Sequence, residues 1–239
     1  LRVITFDVGG TLDGPGVPWR PRFEALYRAA GVEETDERLA RAFYDADDHL
    51  HERHDLSAQD LAGTVRLQVR DTLGTLGRRD PALADSVADA FVREARASLA
   101  AAKPILESLR SEYRLGVISN FYGNLRQVLR GEGLLDLFEV VLDSRACGLE
   151  KPDPRIFHAA CASLGVRPDE AAHVGDSVPR DVRGARGAGL VPIWYAPPEV
   201  RDVGEPGTRR IGALDELASL TGEASSVGAE PGRSGGLLA

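Results

Sequence analysis

The sequence predicts an α/β fold: a Rossmann-like parallel sheet core into which a helical cap domain is inserted. Two observations predict it. Short runs of β-branched and aromatic residues recur along the chain with helical patterns between them, the rhythm of a parallel sheet covered on both faces. Over residues 16–99 that rhythm gives way to helical periodicity alone. The expected division is a core of residues 1–15 and 100–221, a helical cap of residues 16–99, and a disordered tail of residues 222–239.

The first strand is read in "RVITFDVG", residues 2–9, an apolar run that stops at glycines as a buried strand does. Proline and glycine in "GPGVP" then break the chain at 14–18. In the insert, Phe23, Leu26, Tyr27 and Ala30 share one helical face. So do Leu39, Phe43, Ala46 and Leu50; then Leu61, Val65, Val69, Leu73 and Leu76; and finally Val87, Phe91 and Ala95. "AAAKP" at 100–104 closes the insert, and a helix of the core is expected in "PILESLRSEY". The remaining strands are read at "RLGVISN" (114–120), "EVVLDS" (139–144), "AAHVGDS" (171–177) and "LVPIWY" (190–195). Helices are expected between them in "NLRQVLRGEG", "PRIFHAACASLG" and "VPRDVRGARGAG". Both ends of the insert return to the sheet, which places it as a lid over the strand ends. The tail, "GEASSVGAEPGRSGGLLA", is small, polar and glycine-rich.

The 239 residues are 43% hydrophobic, enough for one sizeable core with a smaller appended one. With a formal net charge of -8 and a pI near 5.2, the chain is not expected to bind nucleic acid or an anionic membrane, which call for surplus Lys and Arg. A small anionic substrate stays open, because a few local cations suffice for it. Cys147 and Cys161 have no paired spacing, so a reducing compartment is the default. No apolar run nears the ~20 residues of a membrane span, and the chain opens on a strand pattern rather than a basic, then apolar, leader. A soluble cytoplasmic protein is expected.

Ligands of an open α/β sheet bind outside the C-terminal ends of its strands. Asp7, Ser119 with Asn120, Lys151, and Asp176 with Asp181 all fall at expected strand ends or in the loops after them. By itself, "DVGGT" leaves two readings open. Asp7 is either a carboxylate that attacks phosphorus, or part of a glycine loop whose bare N–H groups cradle a nucleotide phosphate. The second is similar to the first phosphate loop of sugar-kinase or actin-like ATP-binding folds. Those continue into a β-hairpin, whereas this chain continues into "PGVPWRP" and helices.

The motifs "FDVGGTL", "VISN", "KPDP" and "VGDSVPRD", in this order and approximate spacing, resemble those of the haloacid dehalogenase-like hydrolases. The insert stands where the first-type helical cap of that family stands, and the resemblance covers nearly everything before residue 222. It implies a Mg²⁺-dependent, phosphatase-type hydrolase of a small phosphorylated metabolite. Asp7 would be the nucleophile, forming an aspartyl-phosphate that water resolves, so that one difficult displacement becomes two easier ones. The implied Mg²⁺ would be held by the Asp7 carboxylate, the Gly9 carbonyl and Asp176, with Asp181 supporting it directly or through water. Such hard oxygen ligands suit the ion. Ser119 would donate to a phosphoryl oxygen, and Lys151 would neutralise charge on the nucleophile and the transferring group. Gly10, Thr11 and Asn120 complete the implied substrate-binding set. His173, inside a strand, is read as structural.

One position departs from the pattern. Phosphatases of this family usually carry a second Asp two residues after the nucleophile, as acid for the leaving group and then base for water; here that position is Gly9. Such help is typically worth ~10² to 10⁴ in rate, so an unactivated alkyl phosphate should suffer most. Asp13 lies on the same loop and is a candidate to bend back. "DADDHLHERHD" (45–55) offers His49, His51 and His54 with several carboxylates, although the plain reading is a solvated helix face. The gap keeps two alternatives open. One is a catalytically impaired member that binds phosphate and Mg²⁺ for regulation. The other is a 2-haloacid dehalogenase, whose kind runs without Mg²⁺ but generally lacks the "GDS" found here at 175–177. A phosphonoacetaldehyde hydrolase needs a cap lysine for its Schiff base, and residues 20–98 contain none. On this reading, Gly9→Asp would restore the donor wherever its carboxylate fits.

Overall fold

The computed structural model describes residues 1–219; the tail expected at 222–239 lies outside the described residues. β1 (Val3–Phe6) is buried along its whole length, because it has a strand on each edge and apolar layers on both faces. β2 (Arg114–Ser119) and β4 (Ala171–Gly175) flank it in parallel. β3 (Val140–Asp143) adds outside β2, while β5 (Val191–Tyr195) and β6 (Arg209–Ile211) add outside β4. The order is β3-β2-β1-β4-β5-β6, and every described pairing is parallel. β6 was not expected: three residues reading Arg-Arg-Ile carry no alternation to detect, and only their pairing with Ile193–Tyr195 makes them a strand.

Four helices separate β1 from β2: α1 (Trp19–Ala29), α2 (Asp36–Arg53), α3 (Leu61–Thr75) and α4 (Pro81–Leu109). α5 (Leu125–Gly131) follows β2; α6 (Ser144–Cys147) and α7 (Pro154–Ser163) follow β3; α8 (Arg183–Gly187) follows β4. Alternation along the strands sorts side chains to two layers. Val3 and Ile118 meet Phe157 and Ala160 of α7 and Ala185 of α8. Ile4, Phe6, Leu115 and Val117 face the other layer, with Leu106 of α4 and Leu125 and Val128 of α5.

Three of the inserted helices start at side-chain caps. Thr35, Asp60 and Asp80 accept from the N–H groups of Arg38, Gly63 and Leu83 at 3.3, 2.8 and 3.0 Å. α4 departs from the sequence reading: it runs unbroken for 29 residues, through the boundary expected at residues 99 and 100 and through Pro104. Ala95, Leu99, Ala102, Leu106 and Leu109 are all buried on it, and that burial offsets the ~3 kcal/mol an interior proline costs. The same helix packs on α1 and α3 and on β2, so it ties insert to sheet. No helix among the described residues is long and apolar enough to cross a membrane.

Register decides where the functional groups emerge. Phe6 is level with Val117 of β2 and Val174 of β4, so the three central strands deliver the residues after them to one edge. The Asp7 N–H fastens the end of β1 by donating to the Val174 carbonyl at 2.9 Å.

An aromatic cluster anchors the insert. Phe23 and Phe91 stack at 4.0 Å with 4° between planes, Trp19 meets Phe91 edge-on at 5.1 Å, and the Arg22 guanidinium lies 4.4 Å from the Phe91 ring centre. Phe91 has no exposed surface. Phe91→Ala is therefore expected to cost about 3–5 kcal/mol, read as a lower midpoint in urea unfolding; a shift under 1 kcal/mol would mean that the cluster is not what anchors α4.

Candidate active site

The turn after β1, Val8–Leu12, is shaped by glycine at one position. Gly10 has φ +92°, and a Cβ there would lie 2.7 Å from Asp176 Oδ2 and from the Val17 carbonyl. That close approach lets the Thr11 hydroxyl donate to Asp176 Oδ1 at 2.9 Å. Gly175 serves a similar purpose under Asp181, where a Cβ would sit 2.2 Å from the Asp181 Cγ.

Four of the expected residues converge around one buried ammonium. Lys151 Nζ lies 2.8 Å from Asp7 Oδ1, 2.6 Å from Asp181 Oδ1 and 2.8 Å from the Ile118 carbonyl, which matches its three donors to three acceptors. Burial disfavours the Lys151 charge, but Asp181 and then Asp7 outweigh it and raise its pKa. Ser119 Oγ donates to Asp7 Oδ1 at 2.7 Å. Among the described residues, Asp7 Oδ2 has no donor. Asp7 is also the most open member of its ion-pair chain: its side chain is 11% exposed, against 2% for Lys151 and 1% for Asp181.

Asn120 was expected on the substrate, and the structure places its amide behind Lys151. Its Nδ2 donates to the Lys151 carbonyl at 2.9 Å, and its Oδ1 accepts from the Lys151 N–H at 2.8 Å. This two-point clamp sets the lysine loop. His173, expected as structural, lies 3.1 Å from Asp181 Oδ1 through Nε2 and 2.9 Å from the Thr5 hydroxyl through Nδ1. Burial lowers its pKa against the opposing pull of Asp181. The Ser177 N–H donates to Asp181 Oδ2 at 2.9 Å, so both Asp181 oxygens have partners. Burial alone would raise Asp181; Lys151 and then His173 hold it below the usual carboxylate range.

Asp7, Asp176 and Asp181 each bring a carboxylate oxygen within 4.8 Å of the others. Burial, then the charges of Asp7 and Asp181, push the Asp176 pKa well up. Three buried carboxylates beside one ammonium leave negative charge uncompensated, and hard oxygen donors in that condition fit a divalent cation such as Mg²⁺. Gly9 lines the cavity beside them.

A ring stands beside the position of the missing acid. Gly9 has an ordinary backbone, φ -68° and ψ 105°, but a Cβ on it would lie 3.3 Å from Trp19 Nε1. That indole N–H donates to Asp13 Oδ2 at 2.6 Å, while Asp13 Oδ1 accepts from the Gly10 N–H at 2.6 Å and lies 3.2 Å from Arg22. Asp13 has no exposed surface, and both its oxygens are engaged away from Asp7, so it does not bend back.

A cavity of about 280 Å³ opens over the site. Asp7, Ser119 and Lys151 line one part, and Trp19, Asp47 and Tyr122 another. The insert histidines do not line it: His49 bonds to the Asp45 carbonyl at 2.9 Å, and His54 lies 3.0 Å from Asp71. Asp47 was passed over in the sequence within an acidic run, yet it lies four residues after Phe43 and three before Leu50, on their buried face. That spacing was the signal for it. Tyr122 and Arg180 had no such signal.

A model of the haloacid dehalogenase-like hydrolase family matches residues 1–189. The chain is similar to haloacid dehalogenase-like hydrolase domain-containing protein 3 of Bos taurus, 34% identical over 212 residues, 84% of each chain. It is similar to a phosphoserine phosphatase of Thermus thermophilus, 36% identical over 184 residues, 73% of this chain and 72% of that one. Among solved structures it is similar to a 2-haloacid dehalogenase of Pseudomonas syringae pv. Tomato DC3000, with a TM-score of 0.54 at 25% identity, covering 94% of this chain and all of that one.

The ring beside Gly9 changes what a substitution there can do. Gly9→Asp is expected to displace Trp19, to lower stability by about 1–3 kcal/mol in urea unfolding, and to give no gain in alkyl phosphate hydrolysis. A gain of tenfold or more at unchanged stability would mean that the ring yields and the space is usable.

Proposed function

This chain belongs to the haloacid dehalogenase-like hydrolases, and on that premise we propose that it is a Mg²⁺-dependent phosphohydrolase of small phosphorylated metabolites with Asp7 as nucleophile. The observation that carries the reading is the state of Asp7. One oxygen is held by Lys151 and Ser119, and the other is left without a protein donor on a carboxylate that lines the cavity. The similarity to a phosphoserine phosphatase supports phosphoryl transfer.

In this mechanism Asp7 Oδ2 forms a bond to phosphorus as the bond from phosphorus to the leaving oxygen breaks, giving an aspartyl-phosphate. Water then attacks it, releasing inorganic phosphate and restoring the carboxylate. Lys151 fixes the direction of Asp7 and neutralises charge gathering on the transferring group. The Ser119 hydroxyl turns from Asp7 to a phosphoryl oxygen. Asp7, Asp176 and the Gly9 carbonyl would hold Mg²⁺, with Asp181 supporting them through water, since its own oxygens are engaged. The bound ion supplies charge that lets an anionic substrate approach an anionic nucleophile. Gly10 and Thr11 shape the turn that the phosphate faces, and Asn120 positions Lys151.

A second reading, a 2-haloacid dehalogenase, is favoured by the absent acid at residue 9 and by the similarity to a solved dehalogenase. The buried cluster of Asp7, Asp176 and Asp181 stands against it, because attack on carbon has no need of so much uncompensated negative charge.

The test is phosphate release from an aryl phosphate and an alkyl phosphate, each with Mg²⁺ and with EDTA, using Asp7→Asn as control. Mg²⁺-dependent release is expected, faster from the aryl ester by more than the ~10² that a general acid commonly supplies, and absent in Asp7→Asn. Release by Asp7→Asn at the parent rate would sink the nucleophile assignment. Halide release from a 2-haloacid in EDTA, without any phosphate release, would establish the second reading.

A further inference from the structure

The part of the cavity lined by the insert has a charge pattern of its own. Asp47 on α2 is partly buried and accepts a hydrogen bond from the Tyr122 hydroxyl through Oδ1. Its Oδ2 has no protein donor among the described residues. Arg180 lines the same cavity and has no ion-pair partner among the described residues; its charge acts on Asp47. Arg20 lines it too, but is already taken up, donating to Glu24 at 2.9 Å and lying 5.6 Å from the Tyr44 ring centre. One acceptor and one cation are thus left for a ligand.

We propose that Asp47 and Arg180 form a subsite for a zwitterion, so that the preferred substrate is a phosphorylated compound of amino-acid type whose ammonium meets Asp47 Oδ2 and whose carboxylate meets Arg180. This rests on the phosphohydrolase reading and names the substrate class of that same cavity. A carboxylate is an acceptor only, and an ammonium donor on it makes a charge-assisted bond about twice as strong as a neutral one. Tyr122 keeps the carboxylate aimed: burial, then the Asp47 charge, raise the pKa of its hydroxyl well above the usual range, so it remains a donor. Burial, with Asp48, raises the Asp47 pKa on balance, while the Tyr122 hydrogen bond, Arg180 and Arg145 favour its charge. A bound ammonium adds to the favourable side.

Size agrees with this class. A cavity of about 280 Å³ has room for a phosphate and a short chain. An ammonium near the ester oxygen also makes the leaving alcohol more acidic, which reduces the need for the proton donor that residue 9 lacks.

Two measurements test the subsite. With Mg²⁺ present, kcat/KM is compared for O-phosphoserine, phosphoethanolamine, glycerol phosphate and phosphoglycolate, with p-nitrophenyl phosphate as the measure of chemistry. O-phosphoserine is expected to exceed glycerol phosphate and phosphoglycolate at least tenfold. Asp47→Asn should shrink its ratio over glycerol phosphate at least tenfold, mainly through KM, and Arg180→Gln should shrink its ratio over phosphoethanolamine. Tyr122→Phe, a smaller change, should shrink the first ratio in the same direction. Calorimetric binding of O-phosphoserine and glycerol phosphate to the Asp7→Asn protein reads the same preference without turnover, and at least tenfold tighter binding of the zwitterion is expected.

Equal binding, or a preference for glycerol phosphate or phosphoglycolate, overturns the subsite even if p-nitrophenyl phosphate is hydrolysed. Tight zwitterion binding without release from any ester overturns the phosphohydrolase reading instead. A loss in Asp47→Asn that tracks leaving-group acidity rather than substrate charge would also overturn the subsite, and would make Asp47 a proton donor.

Discussion

The Lys151 ammonium, sealed between Asp7 and Asp181, is the interaction on which the rest of the site depends. Taking a cation out of water is costly unless each of its donors is met, and Lys151 meets this condition with two carboxylates and the Ile118 carbonyl. Those partners come from the end of β1, the end of β2 and the turn after β4, so one side chain fixes three strand ends relative to each other. Its own position is set by Asn120 on both sides of its peptide. Asp181 is held in turn by His173 and the Ser177 N–H, and fits only because Gly175 has no side chain. Asp176 is the carboxylate of this cluster that Lys151 does not reach; among the described residues its side chain accepts only from the Thr11 hydroxyl.

Residue 9 cannot be understood apart from residues 13, 19 and 22. In place of an acid there is a glycine, and the space goes to the Trp19 indole. Its N–H is satisfied by Asp13, whose charge is in turn met by Arg22, and Arg22 lies over the ring of Phe91. Trp19 also touches Phe23, Phe91, Phe121 and Tyr122. The loss of a proton donor and the seating of the insert on the sheet are therefore one structural fact. A carboxylate at residue 9 presses on the Trp19 indole, which that cluster holds, and so a single substitution is a poor way to recover the donor.

Five of the six described strands were legible in the sequence because parallel strands are continuous apolar runs, and the loops after them pointed to Asp7, Ser119, Lys151, Asp176 and Asp181. What was not legible depended on partners that spacing does not reveal. Asn120 reads as a turn or phosphate ligand until Lys151, 31 residues later, is seen beside it. Asp13 reads as a spare acid until the Trp19 N–H is found on it. Pro104 reads as a helix start, because local chemistry says so and only the buried stripe on α4 overrules it. Asp47 lay within reach, at the helical spacing of Phe43 and Leu50, but was masked by the exposed Asp48 and His49 next to it.

Four consecutive residues after the core of β2 connect these parts. The Ser119 hydroxyl reaches the proposed nucleophile, Asn120 clamps the lysine loop, the Phe121 ring meets Trp19, and the Tyr122 hydroxyl meets Asp47 on α2. The Phe121 N–H is itself fixed by Ser144 at 3.1 Å, and the Gly123 N–H by Asp143, so the segment has little freedom to adjust one contact without the others. Tyr122 ties α2 to the stretch that also meets Asp7 and Lys151. Asp47 and Asp7 are thus linked through four residues of chain.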